Sequence, residues 1–505
     1  MKIFTVENIR SADLYTIQNE PISSVQLMER ASSLCAEWIF SNCKHHTKFA
    51  IFCGNGNNGG DGFAVARMLY LKGFDLDVFI NKEQLKFSDD ALINYKRLKD
   101  ISGISVIDFH EISKYNFDEK TVIIDALFGT GLSRNPEGIF KEVIEVLNSK
   151  SNPKISIDVP SGLFTDQIND ENSTIFKTDY TLTFQFWKKT FLHPETGSFT
   201  GKVIVLDINL SQEFIEKTST DDFVIDGEVI QNIFKVRQDF AHKGTYGKSI
   251  IVGGSYGKIG AVVLATKSAL KTGSGLTFVL APNCGYEILQ TSIPETMFMY
   301  GGEKFINQIE EVENTVYGIG PGLGTEKETE KALLEFIENH QSPLVLDADA
   351  LNIISKHKSY LKLIPKKSII TPHPKEFERL FGKTENSFER LDLAKTKAKE
   401  LGIYIVLKDH HTQMVTPEGK VFYNITGNSG LAKGGSGDIL TGIITSLLAQ
   451  KYSEEEAAIL GVWLHGKAAD FAAEKYSKEA MQPTDVIDEI GNVFLYLNKK
   501  ATTQL

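Results

Sequence analysis

The chain has 505 residues and a formal net charge of -11, with 42% hydrophobic and 24% charged residues. This length exceeds the roughly 100–200 residues of a single domain, so we expect two or more hydrophobic cores. The negative charge argues against a nucleic-acid partner, because proteins that bind the phosphate backbone concentrate lysine and arginine.

The cysteines and the N-terminus exclude several further classes of protein. None of Cys35, Cys43, Cys53 and Cys284 forms a CxxC pair. No histidine cluster has zinc spacing, so we expect neither a disulfide framework nor structural zinc. The N-terminus lacks the apolar core of a signal peptide, and no apolar run approaches the roughly 18 residues of a membrane span. We therefore expect a cytoplasmic protein without a membrane partner.

Short apolar runs alternate with amphipathic segments along most of the chain. In the first half, strands are predicted at residues 48–53, 74–80, 122–125, 154–158 and 180–184. Helices are predicted between them, at residues 62–72 and 140–149 for example. This alternation predicts βαβ units on a mostly parallel sheet.

The alternation is interrupted after Asp207. Residues 208–234 are polar and irregular, which predicts a linker or a domain edge. A second α/β segment begins at Lys248 and continues to the C-terminus. We therefore place two domains at residues 1–212 and 224–505.

A glycine-rich loop follows the first predicted strand. Residues 54–59 fit the GxGxxG pattern after a strand and before a helix, which is typical of a dinucleotide-binding turn. Asn57, Asn58 and Asp61 crowd this loop, however, and a carboxylate near a helix N-terminus weakens its attraction for phosphate. Two interpretations remain open. Asp61 caps the helix, or the three polar side chains contact a ligand or an ion.

Two more loops follow strands of the same sheet, and they begin at Asp125 and Asp158. Loops at the carboxyl ends of strands in an open α/β sheet converge on one crevice. Asn58, Asp125 and Ser161 would supply oxygen ligands there, as a hard cation requires. The backbone N–H groups around Gly129 would hold a phosphate.

In combination, the segments NNGGDG, DALFGTGL and IDVPSGL resemble the NAD(P)H-hydrate epimerase family, and the match covers about residues 1–210. The resemblance implies a potassium ion held by Asn58, Asp125 and Ser161. It also implies hydrate binding by Asn57, Asn58, Gly59, Gly60, Asp61, Gly129, Thr130, Gly131, Leu132, Ser133, Arg134, Asn135 and Asp158.

Epimerisation needs little catalytic machinery. The two hydrates differ at C6 of the damaged nicotinamide ring, so their interconversion requires reversible proton transfers and a place for the ring nitrogen to share charge. A carboxylate within reach can serve as acid and base, and we assign this role to Asp158. Lys188 is either a partner for a phosphate or an acid, or a surface lysine, which is the commoner case.

The strongest local motif of the second half is NSGLAKGGSGD, residues 428–438, followed by an apolar run that predicts a buried helix. The first N–H groups of that helix would point at an anion in the loop. Asp438 would stand where a phosphoryl group is transferred and take a hydroxyl proton, while the amides of residues 435–437 stabilise the transferring charge. The alternative is that Asp438 only caps the helix. The motif resembles the ribokinase-like superfamily, which suggests small-molecule phosphorylation.

Further motifs follow one another in the second half: HKGTYGK, GGS, GPGLG, LDADALN and TPHPKE. Together with GSGD they resemble the ADP/ATP-dependent NAD(P)H-hydrate dehydratase over about residues 235–497. The resemblance implies Mg²⁺ with the nucleotide phosphates and a homo-oligomer. It implies hydrate contacts from Ala261, Gly324, His373 and Asp438. It implies nucleotide contacts from Lys408, Asp409, His410, His411, Thr412 and Gly437.

Two positions depart from the family pattern. Asp409 stands where the family usually has glycine, so the position loses conformational freedom and gains a charge near the nucleotide. This departure bears on the nucleotide contacts and on the choice between ADP and ATP, which the sequence leaves open. Lys375 stands where the family often has glycine, while Glu376 keeps the pattern.

The sequence thus predicts a Rossmann-like three-layer sandwich followed by a ribokinase-like three-layer α/β domain. The predicted function is repair of hydrated NADH and NADPH, by epimerisation of the R and S hydrates and nucleotide-dependent dehydration of the S epimer. Phosphorylation would turn the C6 hydroxyl into a good leaving group. Three alternatives remain: a ribokinase-like small-molecule kinase with a Rossmann-like binding domain, an active dehydratase with a non-catalytic N-terminal module, and a dehydrogenase, for which no hydride-transfer constellation is evident.

Overall fold

The chain forms two α/β units in the computed structural model, which describes residues 1–44 and 47–502. The first unit is Lys2–Thr220, and the second contains Met1 and the chain from Asp221 onwards. The division lies within the segment between the two predicted domains. In the described part of the chain, no helix has the length and apolar character needed to cross a membrane.

The first unit is built on a seven-stranded sheet in the order β3-β2-β1-β4-β5-β6-β7, with every pair parallel. Each of the five predicted strands is present to within one residue at either end. The strands are β1 Lys48–Cys53, β2 Asp75–Ile80, β3 Ser105–Asp108, β4 Thr121–Ala126, β5 Lys154–Ile157, β6 Tyr180–Phe184 and β7 Lys202–Leu206.

Helices cover both faces of this sheet, because successive side chains of a strand point to opposite sides. In β1, Phe49 and Ile51 pack into one apolar core, while Ala50 and Phe52 pack into another. The helices are α1 Val6–Asn19, α2 Ser24–Asn42, α3 Asn57–Leu71, α4 Asp89–Lys99, α5 Ile139–Asn148, α6 Pro194–Gly197 and α7 Gln212–Lys217. This confirms the predicted Rossmann-like three-layer sandwich.

The second unit is built on a ten-stranded sheet in the order β11-β10-β9-β12-β13-β14-β15-β16-β17-β8. Its pairs are parallel except those of β16 with β15 and β17. The strands are β8 Asp222–Ile225, β9 Lys248–Val252, β10 Leu276–Ala281, β11 Met297–Tyr300, β12 Val316–Ile319, β13 Val345–Leu346, β14 Ile369–Ile370, β15 Tyr404–Leu407, β16 Gln413–Val415 and β17 Val421–Asn424.

Helices also cover both faces of the second sheet. In β12, the Tyr317 ring packs on Phe336, while a side chain at neighbouring Gly318 would meet Thr445. The helices are α8 Gly227–Ile233, α9 Ile259–Thr272, α10 Tyr286–Ser292, α11 Lys327–Asn339, α12 Ala348–Lys356, α13 Pro374–Phe381, α14 Ser387–Leu401, α15 Ser436–Ala449, α16 Glu454–Ala480 and α17 Pro483–Thr502. The predicted ribokinase-like three-layer architecture is confirmed.

The prediction of an irregular segment at residues 208–234 was wrong in part. This segment contains α7, β8 and α8, and β8 pairs with β17 at the edge of the second sheet. Val224 and Ile225 are fully buried there. A strand of four residues between polar neighbours is too short to produce a readable alternation of polar and apolar residues.

The close approach of α15 to α9 fixes the position of the GSGD motif. A Cβ at Gly442 would lie only 2.0 Å from the Ala265 carbonyl oxygen. The Ser268 hydroxyl donates to the Ile439 carbonyl at 3.0 Å. Glycine therefore lets the two helix backbones come together, and the first half of α15 is held against α9.

Candidate functional sites

A cavity of about 480 Å³ lies in the first unit, where loops follow β1, β4 and β5. Ten of the residues predicted to bind hydrate line it: Asn57, Asn58, Asp61, Gly129, Thr130, Gly131, Leu132, Ser133, Arg134 and Asp158. The three loops therefore converge as their positions at the strand ends predict.

Three other residues predicted to bind hydrate are not among the lining residues. A Cβ at Gly59 would lie 1.9 Å from the Gly54 carbonyl oxygen, and one at Gly60 would lie 2.8 Å from a side-chain atom of Met28. These two glycines allow close packing of α3. The Asn135 side chain accepts a hydrogen bond from the Ser173 hydroxyl at 2.8 Å, so it braces the neighbouring loop.

Asp61 does not cap a helix, and that interpretation was wrong. The helix α3 begins at Asn57 with Gly56 at its N-cap, which places Asp61 inside the helix. Its carboxylate is buried and accepts a hydrogen bond from the Ser32 hydroxyl at 2.9 Å. Burial raises the pKa of Asp61 well above its usual value, against the effect of that hydrogen bond.

Asp158 lies directly after β5 with both carboxylate oxygens engaged. Its φ of 64° is in the left-handed region, which is strained for a residue with a side chain. Oδ2 accepts from the Thr130 N–H at 2.8 Å and from the Thr130 hydroxyl at 2.5 Å, and Oδ1 pairs with Lys188 Nζ at 3.2 Å. Burial alone would raise the pKa of Asp158, but the Lys188 charge and the Thr130 hydrogen bonds lower it. The carboxylate is thus held in its ionised form.

Lys188 is not a surface lysine. Its side chain is 1% exposed. Besides pairing with Asp158, Nζ donates to the carbonyls of Phe184 at 2.9 Å and Phe186 at 3.2 Å. These contacts fix the ammonium group in the cavity wall, so the lysine belongs to the site.

The contribution of α1 to this cavity was not predicted from the sequence. Ile9, Arg10 and Asp13 lie on one face of the helix and line the cavity. Burial and the Asp158 charge raise the pKa of Asp13 to about 7, with Lys188 acting in the opposite direction. An acid on one face of an amphipathic helix has no signal in sequence, because most such residues face solvent.

The three predicted potassium ligands lie in one buried neighbourhood. Asp125 is fully buried and accepts hydrogen bonds from the Ser161 N–H at 2.8 Å and the Ser161 hydroxyl at 2.5 Å. The Ser161 hydroxyl also receives the Phe128 N–H at 2.9 Å. A Cβ at the next residue, Gly129, would lie 3.2 Å from the Asn58 side chain.

These residues fit a monovalent cation. The amide oxygen and nitrogen of Asn58 are both buried without a hydrogen-bond partner in the described structure. Burial raises the pKa of Asp125 to about 6, which shows that the hydrogen bonds of Ser161 only partly offset its desolvation. A cation coordinated by oxygen would satisfy the amide oxygen and favour the ionised carboxylate.

In the second unit, Asp438 lies in the first turn of α15 and is not its cap. The N-cap is Gly435, in the left-handed region with a φ of 101°. The Asp438 carboxylate has no hydrogen bond to any described residue. Burial and the charge of Asp347 raise its pKa to about 7, and Lys408 opposes this. The carboxyl is therefore available as a proton acceptor close to neutral pH.

Lys408 joins the predicted nucleotide contacts to buried acids. Its Nζ pairs with Asp347 Oδ1 at 2.7 Å and lies 3.9 Å from a carboxylate oxygen of Glu376. Burial opposes the charge of Lys408, but the two acids outweigh it and raise its pKa. A Cβ at Gly437 would lie 3.3 Å from Lys408 Nζ. The structure thus brings Lys408 and Gly437 together, with two acidic partners that the sequence analysis did not assign.

Two of the predicted hydrate contacts of the second unit, Ala261 and Gly324, lie at the GPGLG loop of residues 320–324. A Cβ at Gly322 would lie 3.0 Å from Ala261, which brings the GPGLG loop against α9. The Gly324 N–H donates to Asp349 Oδ2 at 2.9 Å, and the Asp349 charge also raises the pKa of Asp438.

His373 is at the N-cap of α13. Its Nδ1 accepts the Lys375 and Glu376 N–H groups at 3.1 and 3.4 Å. Burial and the charge of Lys408 lower its pKa. This histidine therefore lies beside the Lys408 network in its neutral form.

The negative charge at Asp409 has a counter-charge. Asp409 Oδ2 pairs with Arg390 Nη2 at 3.5 Å, and Oδ1 accepts the His410 N–H at 2.8 Å. The Arg390 ion pair therefore offsets the charge that departs from the family pattern.

The next predicted nucleotide contacts are His411 and Thr412. Burial and the charge of His410 lower the pKa of His411 to about 3, so this ring is neutral. The Thr412 carbonyl accepts a hydrogen bond from the Asn424 N–H at 2.9 Å.

Comparisons with known proteins identify a family for each half of the chain. Residues 249–492 match a family model described as NAD(P)H-hydrate dehydratase, and residues 24–190 match one described as YjeF-related protein N-terminus. A bifunctional NAD(P)H-hydrate repair enzyme from Thermofilum pendens is 33% identical, over 95% of this chain and 94% of its own length. The enzyme of that name from Escherichia coli is 30% identical, over 97% and 93%.

A solved structure from Bacillus subtilis, described as an ADP/ATP-dependent NAD(P)H-hydrate dehydratase co-crystallised with ATP and Mg²⁺, is 28% identical with a TM-score of 0.49. It covers 55% of this chain and 100% of that one. The full-length identity to curated relatives, together with a match to a family model in each half, decides the family. The chain belongs to the bifunctional NAD(P)H-hydrate repair enzymes.

Proposed function

We propose that the chain restores hydrated NADH and NADPH to the normal cofactors. An epimerase domain at residues 1–212 interconverts the R and S hydrates, and a dehydratase domain at residues 224–505 dehydrates the S epimer with ADP or ATP. The observation that carries the proposal is the presence of two carboxylate sites in one chain, around Asp158 in the first unit and around Asp438 in the second. Only the S epimer is dehydrated, but the epimerase converts the R epimer into it, so a chain with both activities removes both epimers.

In the epimerase site, the hydrate occupies the cavity with its C6 near Asp158. Loss of water from C6 leaves a positive charge that the ring nitrogen shares. The ionised carboxylate of Asp158 stabilises this charge because it is held by Lys188 and Thr130 at fixed distances. The loop of residues 129–135 receives the phosphates through backbone N–H groups other than those of Thr130 and Leu132, which donate to Asp158 and to the Gly129 carbonyl.

Asn58, Asp125 and Ser161 would hold a potassium ion. The Asn58 amide supplies an oxygen that has no hydrogen-bond partner among the described residues, and Asp125 supplies a buried negative charge. When bound, the ion would supply positive charge beside the phosphate loop. The Ser161 hydrogen bonds align the Asp125 carboxylate for this role.

In the dehydratase site, Asp438 takes the proton of the C6 hydroxyl as its oxygen attacks the terminal phosphoryl group of the nucleotide. The N–H groups of residues 435–437 and the Lys408 charge stabilise the transferring phosphoryl group. Mg²⁺ bound with the nucleotide would neutralise phosphate charge. The phosphate then leaves C6 with the bonding electrons while the ring nitrogen supplies a pair, and loss of a C5 proton restores the reduced ring.

The remaining contacts follow the family resemblance. Ala261, Gly324 and His373 would contact the hydrate, and Asp409, His410, His411, Thr412 and Gly437 would contact the nucleotide with Lys408. We also place the protein in the cytoplasm as a homo-oligomer that binds neither nucleic acid nor membrane.

Recovery of absorbance at the reduced-nicotinamide band tests the proposal. The purified chain receives a mixture of both NADH-hydrate epimers with Mg²⁺ and either ADP or ATP. We expect full recovery, no recovery with Asp438→Ala, and recovery of only the S share with Asp158→Ala. Absence of recovery with either nucleotide would refute the proposal, and a stable phosphorylated product would identify a kinase instead.

A further inference from the structure

Three carboxyl groups line the epimerase cavity, those of Asp13, Asp61 and Asp158, and their environments differ. Both oxygens of Asp158 are engaged, one by Lys188 and the other by Thr130. Asp13 lines the same cavity, and its carboxyl has no hydrogen bond to any described residue. Asp13 is therefore the one of these three whose two oxygens are both free of hydrogen bonds to the described residues, so it can bond a bound hydroxyl group without breaking one.

The helix that carries Asp13 is held against the cavity at three points. The Val6 N–H at its start donates to Asp166 Oδ2 at 2.8 Å. The Thr16 hydroxyl, near its end, accepts the Ser211 N–H at 2.9 Å. Between them, Arg10 donates to the Gly131 carbonyl of the phosphate loop at 3.4 Å. The Asp13 side chain is thus presented from a fixed backbone, as proton transfer requires.

The charges around Asp13 suit a group that gives and takes a proton. Burial and the nearby Asp158 charge favour its neutral form, and Lys188 favours its ionised form, which together bring its pKa to about 7. Asp158 differs, because its pKa is lowered and it holds no proton to give at neutral pH. Asp61 also lines the cavity, but Ser32 already holds one of its oxygens.

We propose that Asp13 is the proton-transfer group of the epimerase, and that ionised Asp158 stabilises the positively charged ring. This inference deepens the proposed epimerase function and rests on it. It divides between two residues the roles that the sequence analysis assigned to Asp158 alone.

The step balances without any further reactant. The Asp13 carboxyl gives its proton to the C6 hydroxyl oxygen, the C6–O bond breaks, and water leaves. The ring nitrogen forms a double bond to C6 with its electron pair, so the ring carries one positive charge and Asp13 one negative charge. Water then adds to the opposite face of C6 and returns a proton to Asp13, which yields the other epimer.

The test follows conversion of one purified epimer by chromatography with the full-length Asp13→Asn variant. The amide has the shape of the neutral carboxyl but no proton to transfer. We expect kcat for epimerisation to fall about 100-fold or more, as is typical for loss of a general acid. KM for the hydrate and the rate of S-hydrate dehydration should stay near those of the unchanged protein. Glu7→Gln is the matched control, since it makes the same change at an exposed position of the same helix.

The pH profile of the unchanged protein supplies a second measurement. Because only protonated Asp13 starts the reaction, kcat/KM for epimerisation should fall tenfold per unit above about pH 7. Epimerisation by Asp13→Asn within about threefold of the control, or a flat profile between pH 6 and 8.5, would overturn the inference. If the variant fails to fold, the profile decides alone. If the unchanged protein does not epimerise the hydrate, the proposed epimerase function fails instead.

Discussion

Asp158 in the first unit and Asp438 in the second are both assigned to catalysis, and their surroundings differ. In the first unit, Lys188 and Thr130 engage both oxygens of Asp158 and lower its pKa. In the second unit, Asp438 has no hydrogen bond to the described residues, and burial raises its pKa to about 7. The neighbours of a carboxylate therefore decide whether it stabilises charge or moves a proton.

The largest expected effect is a loss of stability in the variant Lys188→Met, which lacks the partner of the Asp158 carboxylate. The change leaves Asp158 buried without its counter-charge and removes the hydrogen bonds that Lys188 donates to the Phe184 and Phe186 carbonyls. Loss of one partner of a buried pair costs about 3–5 kcal/mol, so the free energy of unfolding of the first unit should fall by this order. Urea unfolding followed by tryptophan fluorescence reports this, because Trp38 and Trp187 lie in that unit and only Trp463 lies in the other.

A double variant sharpens the result. Asp158→Asn with Lys188→Met leaves no uncompensated charge, and it should recover part of the lost stability. Equal stability of the single and double variants would contradict an ion pair that holds Asp158 ionised.

The second prediction is that the rates of dehydration and epimerisation depend on pH in opposite directions. Asp438 must be ionised to accept a proton, so kcat/KM for dehydration should fall tenfold per unit below about pH 7 and level off above it. Asp13 must be protonated, so epimerisation should fall above about pH 7. Each rate is measured on the same preparation with a purified epimer, after subtraction of the spontaneous rate. Two profiles with the same direction would contradict the assigned proton positions.

The parts of these sites that were predicted from sequence are those carried by consecutive residues. Loops such as 57–61 and 129–135 follow strands, and strand order alone brings them to one crevice. The burial of Lys188 and the arrival of Asp13 from α1 depend on contacts between segments distant in sequence. Hydrophobic periodicity carries no information about such pairing, so these two residues could be recognised only in the folded chain.

In the second unit, too, contacts between segments distant in sequence could not be predicted. The GSGD motif placed Asp438 at a helix start, and the structure has it in the first turn of α15. Its electrostatic partners Asp347 and Asp349 come from a different motif. For Asp61, the sequence suggested a local role, that of a helix cap. In the structure this residue lies inside α3 and its side chain is buried.

The third prediction concerns the potassium ligands of the first unit. An ion that binds only the folded unit stabilises it by about 1–3 kcal/mol at concentrations well above its Kd. The first unit should therefore melt at a higher temperature in potassium chloride than in choline chloride of equal ionic strength. Asp125→Asn should abolish the difference, because it removes the buried charge that the ion offsets. An equal rise with choline would show a salt effect and argue against a site.

The smallest expected effect lies in the nucleotide segment, at the residue that departs from the family. Asp409→Gly restores the usual residue but leaves Arg390 without the carboxylate that it contacts at 3.5 Å. If the ion pair compensates for the extra charge, the freed arginine should attract the nucleotide. KM should then fall a few-fold, and more for ATP than for ADP because ATP carries the greater negative charge. Arg390→Gln is the matched change on the other side of the pair, and it should raise both KM values by exposing the Asp409 charge. Unchanged KM values in both variants would show that the pair lies outside the reach of the nucleotide, and the contacts carried over for residues 409–412 would then have to be abandoned.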